Sequence, residues 1–225
     1  MSSKSGKTSS RPYRKRARAE QEAATRLRIT EAAVKLHGTL GPARTSFAAL
    51  AREAGVERAT VYRHFADEAA LFEACSAHWQ AHNQPPDLAA WAAIDDPRKR
   101  LRTALTEMYA WFERGEYMLS RLLRDAPVVP AMAQPMQRMA ELQEAMAGVL
   151  MAGWGVRGAR RRRTRAAVGH ALGFGTWHSL RRQQGLESAD AVDLAASLVE
   201  VAAREPAQAR RTSTTRRAKE PGFSA

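Results

Sequence analysis

Apolar residues spaced three or four positions apart recur along almost the whole chain. Phe47, Leu50, Ala51 and Ala54 illustrate the i, i+3, i+4, i+7 pattern of an amphipathic helix. No stretch of useful length alternates apolar and polar residues as a strand would. Glycine and proline fall mainly between the periodic segments, where helices end. The sequence therefore predicts an all-α protein.

The breaks in this periodicity divide the chain into two helical domains. The sequence Asn83-Gln84-Pro85-Pro86 interrupts the pattern and separates residues 20–83 from residues 84–204. The first domain is expected to hold helices over about 20–37, 46–54 and 57–64, and a fourth capped by Asp67. In the second domain, helices are expected over about 97–114, 117–124, 131–151, 160–184 and 188–204.

Most of the net charge of +13 lies at the two ends of the chain. Residues 1–19 contain seven basic and no acidic residues, and residues 205–225 contain five basic and two acidic ones, so the chain between them carries only +3. Both ends are poor in apolar residues, which predicts a disordered basic arm and a disordered basic tail. The arm could neutralise DNA phosphates, or it could be a solubilising segment with no defined contact.

The segment RTSFAALAREAGVERATVYRHF, residues 44–65, has the pattern of a helix-turn-helix. Small or apolar residues face inward from two short helices, and Gly55 stands in the turn between them, where a bulky residue would keep the helices apart. The second helix presents Arg58, Thr60, Tyr62, Arg63 and His64. A helix fits the major groove, and arginine can bridge two acceptors on guanine. A generic helical hairpin is the alternative.

The same block resembles the TetR family of bacterial transcriptional regulators. The residues in register with the family pattern are Thr45, Leu50, Ala51, Ala54, Gly55, Val56, Thr60, Val61, Tyr62, His64, Phe65 and Leu71. The specific match covers roughly residues 28–75. The resemblance implies an N-terminal three-helix helix-turn-helix domain, a C-terminal helical domain for ligand binding and dimerisation, and release from DNA when a small molecule binds.

The resemblance also implies roles for individual residues. Thr45, flanked by Arg44 and Ser46, would hold a phosphate at the start of the second helix. Tyr62 and His64 would contact phosphates at the end of the recognition helix. Arg58, Ala59, Thr60 and Arg63 would face the bases or nearby phosphates.

Three positions depart from the family pattern. Glu57 stands where Ser or Thr often caps the third helix, which predicts a weaker cap. Glu68 stands where many members have a phosphate-binding lysine. His37 takes the place of an aromatic core residue, and a partly buried ring with one satisfied nitrogen is expected there.

The second domain contains candidates for a ligand cavity. Methionine suits an adaptable apolar site, and a methionine stripe runs through residues 132–151. The expected ligand contacts are Met108, Trp111, Met118, Met139, Phe174 and His178. Ordinary core packing is the alternative for each of them.

The last two helices are the candidates for a dimer contact. Gly169 and Gly173 are four residues apart on the expected 160–184 helix, and the 188–204 helix is apolar on more than one face. Small residues at that spacing allow another helix to approach closely. The arginine cluster at 160–163 and 165 is expected to be solvated or to pair with acids.

Several classes of protein are disfavoured. Cys75 is the only cysteine, which excludes an intrachain disulfide and a cysteine-based zinc site. No run approaches the length of a membrane span, and no secretory signal is evident, so a cytoplasmic protein is expected. There is no glycine-rich phosphate loop and no nucleophile elbow, so neither an enzyme nor a cofactor is expected.

The sequence thus predicts a homodimeric DNA-binding regulator, most simply a repressor that leaves a near-palindromic operator when it binds a small molecule. The rival is a basic protein that coats nucleic acid through its ends without sequence preference.

Overall fold

A computed structural model describes residues 10–204, and this part of the chain is helical throughout. Its ten α-helices are α1 (Ser10–Thr39), α2 (Phe47–Ala54), α3 (Arg58–His64), α4 (Glu68–His82), α5 (Leu88–Ala92), α6 (Pro97–Asp125), α7 (Ala133–Leu150), α8 (Gly158–Ala171), α9 (Phe174–His178) and α10 (Ser188–Ala203). Short 3-10 turns lie at Pro42–Arg44, Ala126–Val128 and Pro130–Met132, and a π-helical turn, Ser179–Gln183, follows α9. The all-α prediction is confirmed.

Local caps set the bounds of α2 and α4. Ser46 Oγ accepts a hydrogen bond from the Ala49 N–H at 3.2 Å, and Asp67 Oδ1 accepts one from the Ala70 N–H at 2.8 Å. Glu57 precedes α3 without a side-chain cap, as its departure from Ser or Thr predicted. The second domain contains one helix, α5, that the sequence analysis missed.

Gly55 ends α2 in the left-handed conformation, with φ of +64°. The next N–H, of Val56, donates to Ala51 O at 2.9 Å, which closes the helix end. A Cβ at Gly55 would meet no atom within 4 Å. The expectation that bulk at this position would keep the helices apart is therefore wrong, because the backbone conformation is what favours glycine there.

Helix α1 begins at least ten residues before its expected start. Ion pairs at i, i+4 stabilise its first turns: Arg16 Nε lies 2.9 Å from Glu20 Oε1, and Arg18 Nε lies 3.1 Å from Glu22 Oε1. The expected disordered arm is therefore wrong for residues 10–19, which form a basic helix whose residues 13–19 are exposed. Residues 1–9 of that arm, and the expected tail at 205–225, lie outside the described residues.

Two of the expected helices of the second domain have different bounds. The break expected near Gly115 is absent, and α6 is continuous. Gly115 leaves room for the Trp79 ring, because a Cβ there would lie 3.1 Å from Trp79 Cζ2. Conversely, the helix expected over 160–184 breaks at Leu172 and Gly173. Gly173 has extended ψ of 135°, so Gly169 and Gly173 do not share one helix.

Two buried clusters form the core of the described residues, and they meet within α4. The reader domain, α1 to the first half of α4, is closed around Ile29, Leu50, Phe65 and Cys75. The C-terminal cluster begins at Trp79 and includes the buried faces of α6, α8 and α10. Helix α1 also packs against α6, which joins the two domains. No helix in the described part is both long and apolar enough to cross a membrane.

Candidate DNA-binding surface and C-terminal cavity

Helix α3 has one buried and one exposed face. Val61 is fully buried against the reader core, whereas Arg58, Ala59, Tyr62 and Arg63 are exposed. The Tyr62 ring packs on Phe47 with 4.8 Å between centroids, and its hydroxyl accepts a hydrogen bond from Arg58 Nη2 at 3.0 Å. Thr60 and His64 are half-buried. The predicted base-reading residues therefore share one surface, except that Thr60 lies at its edge.

The start of α2 lies at one end of this surface. Arg44 and Ser46 are exposed and Thr45 is half-buried. Thr45 Oγ1 donates its only hydrogen to Gly41 O at 2.8 Å, and Ser46 Oγ caps the helix. The hydroxyl hydrogen of Thr45 is thus used within the protein. The N–H groups of Phe47 and Ala48, which have no partner among the described residues, are the donors left for an anion.

Arg26 of α1 supports the far end of α3, and the sequence analysis missed it. Its Nη1 donates to His64 O, and its guanidinium lies 4.1 Å from the Phe65 ring centroid. Arg26 and His64 are 38 residues apart in the sequence, so no local sequence pattern predicts this contact. His64 Nε2 is buried with no partner among the described residues. Its burial, followed by the charges of Arg63 and Arg26, lowers the pKa of His64.

The end of α6 holds the segment that leads into α2. Asp125 Oδ2 accepts from the Ala43 N–H at 3.0 Å, and Arg124 Nη2 donates to Leu40 O at 2.9 Å. Arg124 and the Ala43 N–H together lower the pKa of Asp125. Gly41, with φ of +96°, leaves room for this contact, because a Cβ would collide with Asp125 Oδ2 and Arg124 Nη2. We call these contacts the α6 clamp.

A cavity of about 500 Å³ lies between the two domains. Its wall includes side chains from α1, α4, α6, α7 and α9. Of the expected ligand contacts, the structure places these five on the wall: Met108, Trp111, Met118, Met139 and Phe174. His178 is not on it, because α9 is a separate turn in which the His178 ring packs on Phe174 and Trp177 instead.

His37 and Cys75 also line the cavity, although no sequence pattern predicted them there. His37 is 3% exposed and stacks on Phe72 with 4.7 Å between ring centroids. Its Nδ1 lies 3.6 Å from Cys75 Sγ, so one nitrogen has a partner as expected, but the ring is fully rather than partly buried. Burial lowers the pKa of His37 to about 4 and raises the pKa of Cys75 to about 12. Both groups are therefore uncharged at neutral pH.

Helix α10 leaves apolar side chains in solvent. Leu194, Leu198 and Val201 are 43%, 51% and 63% exposed, and they lie on one side of the helix. Gly169 on the neighbouring α8 is exposed too, with nothing within 4 Å of a built Cβ. Helices α8 and α10 pack against each other. These three side chains form an exposed apolar patch, which makes this face the candidate interaction surface.

The amino-acid sequence and the fold both match known regulators. Residues 29–75 match the model for bacterial regulatory proteins of the tetR family. No curated protein matches the sequence significantly.

Similar solved structures share the fold at low identity. A TetR-like transcriptional regulator from Rhodococcus sp. RHA1 is 21% identical, with a TM-score of 0.57 over 79% of this chain and 94% of that one. NalD, the secondary repressor of the MexAB-OprM multidrug efflux pump in Pseudomonas aeruginosa, is 19% identical, with a TM-score of 0.54 over 81% and 97%. A TetR transcription regulator from Haloarcula marismortui is 15% identical, with a TM-score of 0.51 over 80% and 97%. Residues 29–75 thus match the tetR-family model, and the described part of the chain shares the all-α fold of these solved structures.

Proposed function

We propose that this protein is a transcriptional repressor that binds a near-palindromic operator as a homodimer and leaves it when a small molecule binds. The observation that carries the proposal is the exposed face of α3, which presents Arg58, Tyr62 and Arg63 from a rigid two-helix unit. Such a helix fits the major groove, where side chains can read base edges directly. The family match is to regulators rather than to enzymes.

The proposed contacts to DNA are of two kinds, those that position the protein and those that read the bases. Residues 44–46, with the free N–H groups at the start of α2, bind one phosphate, and Tyr62 and His64 contact the DNA backbone near the end of α3. Arg58, Ala59, Thr60 and Arg63 face the base edges. Arg26 does not touch DNA in this proposal. It holds the end of α3 at the angle that brings these side chains into the groove.

The cavity is the proposed effector site. Its wall includes His37 of α1 and Cys75 of α4. A bound molecule would therefore touch α1, which packs against α2, and α4, which follows α3. The α6 clamp links another cavity-lining helix to the entry of α2. A ligand that favours a different spacing of α4 and α6 would move α3 relative to its half-site. Release then follows from differential affinity for two conformations.

The proposed dimer forms through α8 and α10. The exposed side chains of Leu194, Leu198 and Val201 would pack against the same face of a second copy. A two-fold dimer of this kind places two α3 helices in successive major grooves, which is why the operator is expected to be near-palindromic. Light scattering on the purified protein should give the mass of a dimer, and a monomer at micromolar concentration would refute this contact.

Binding-site selection from random DNA tests the proposed function. The full chain should enrich an inverted repeat whose half-site centres are about 10 base pairs, or a multiple of this, apart. A basic protein that coats DNA would enrich no sequence, and that result would overturn the proposal.

A further inference from the structure

The cavity wall offers almost no charge to a ligand. Of its 25 residues, Arg138 is the only Lys, Arg, Asp or Glu, and its Nη2 lies 2.6 Å from Glu73 Oε2 at the surface. The rest of the wall is mainly methionine, leucine and aromatic side chains. A charged ligand inside would lose its hydration without gaining a counter-ion.

The aromatic rings of the wall do not make the cavity favourable for a cation. Trp111, Phe112 and Phe174 line one side of the cavity, and ring faces attract cations. That attraction is smaller than the cost of removing an unpaired ammonium group from water. An uncharged molecule therefore fits the wall better than either kind of ion.

One wall residue, His37, has a ring nitrogen for which the described part of the chain shows no hydrogen bond. The Cys75 thiol has a single hydrogen, and Phe72 O accepts it at 3.3 Å. With the thiol hydrogen assigned to Phe72 O, His37 Nδ1, at 3.6 Å from Cys75 Sγ, carries the imidazole hydrogen and donates it to sulfur. The other nitrogen, Nε2, is left as an acceptor, and no residue in the described part of the chain hydrogen-bonds to it. Because His37 is 97% buried, a ligand in the cavity is the natural donor.

We propose that the cavity binds an uncharged, mainly apolar molecule with a hydroxyl donor, a lipophilic alcohol or phenol, and that this hydroxyl donates to His37 Nε2. This inference rests on the cavity being the effector site of the proposed regulator. It adds the chemical class of the effector and the residue that selects it. His37 lies on α1, so the polar end of the ligand would contact the reader domain directly.

Compounds with the same ten-carbon chain length test the class of ligand. The neutral dye Nile red is bound to the full chain at pH 7.5 and displaced by 1-decanol below its solubility limit, or by decanoate or decyltrimethylammonium below its micelle concentration. We expect 1-decanol to bind at least tenfold more tightly than either ion. Equal or tighter binding of decanoate or of the ammonium compound would overturn the proposal.

A second comparison tests the role of His37. The protein should prefer 1-decanol over its methyl ether, which has no hydroxyl hydrogen, by about fivefold or more. His37→Phe keeps an aromatic ring but removes the acceptor, so the two compounds should then bind alike while Nile red still binds. A preference that survives in His37→Phe would exclude this residue as the polar contact.

A pair of tryptophan variants on α7 locates the binding. Met139→Trp fills the cavity and should weaken Nile red at least tenfold, whereas Ala140→Trp lies on the exposed side and should not. Equal affinities in the two variants would refute binding in the cavity. Sequence-specific DNA binding by the same preparations is measured in parallel, so a wrong ligand class is distinguished from a wrong proposed function.

Discussion

The helix-turn-helix and the cavity lie side by side across α1 and α4, yet their interiors are packed differently. Around Leu50, Val61 and Phe65, all fully buried, the reader core is closed. Between Met118, Met139 and Phe174, about 500 Å³ stays open. A reading helix must keep one orientation to distinguish bases, whereas a sensor needs space and adaptable side chains. Helices α1 and α4 contribute side chains both to the closed core and to the wall of the cavity.

Truncating one apolar side chain in each region tests this difference most strongly. Leu50→Ala leaves a hole in a closed core and should lower the free energy of unfolding by roughly 2–5 kcal/mol. Met139→Ala enlarges a space that is already open, so its cost should stay below about 1 kcal/mol. Denaturant unfolding of the two variants measures both values. Equal costs would show that the cavity region is as tightly packed as the reader core.

The free energy of unfolding should depend on pH through His37, which lies between the closed core and the cavity. Burial lowers its pKa to about 4, so between about pH 6.5 and pH 4 the unfolded chain binds a proton that the folded chain excludes. The free energy of unfolding therefore falls as the pH drops through this range. At pH 4.5 the loss due to His37 should be roughly 2 kcal/mol relative to pH 7.

His37→Phe serves as the comparison for that effect. The variant cannot take up this proton, so its free energy of unfolding should fall less between pH 7 and pH 4.5. Unfolding curves in denaturant at the two pH values give the difference. The same pH dependence in both proteins would mean that His37 is not kept neutral by the fold.

On the exposed face of α3, Arg58→Ala should weaken operator binding by roughly 1–3 kcal/mol. It should also relax the base preference at one position of each half-site. Arg161→Ala removes an exposed arginine of α8 instead and should leave operator affinity unchanged. Titration of labelled operator DNA at one salt concentration compares the two. If Arg161→Ala weakened binding as much as Arg58→Ala, binding would reflect overall charge rather than reading by α3.

The smallest effect separates two glycines that look alike in the sequence. Gly55→Ala places a side chain at φ of +64° and should cost about 1 kcal/mol of stability, although the space is open. Gly148→Ala, in the exposed helical face of α7, should instead stabilise the protein by roughly 0.5 kcal/mol. Thermal unfolding gives the sign of each change, and a stabilising Gly55→Ala would contradict the role assigned to the turn.

The reader surface was predictable because its determinants are local. Ser46, Gly55 and Asp67 act within a few residues of their own positions, so the bounds of α2, α3 and α4 follow from short-range rules. The early start of α1 was missed because basic composition was given more weight than the i, i+4 pairs of Arg16 and Arg18.

The cavity and its links were only partly predictable. Its apolar residue types are visible in the sequence, but the inclusion of His37 and Cys75 depends on how α1 and α4 pack beside α6. The break predicted near Gly115 was wrong. The tertiary contact between Gly115 and Trp79 has no signal in the local sequence. Arg26 and Asp125 act on backbone groups 38 and 82 residues away, for the same reason.

The affinity of the full chain for its selected DNA site, relative to a scrambled site at the same salt concentration, tests the central claim most directly. Reading by α3 predicts a ratio of at least about a thousandfold. A ratio near one would show that the basic charge alone holds the protein on DNA, and it would contradict the assignment of α3 as a recognition helix.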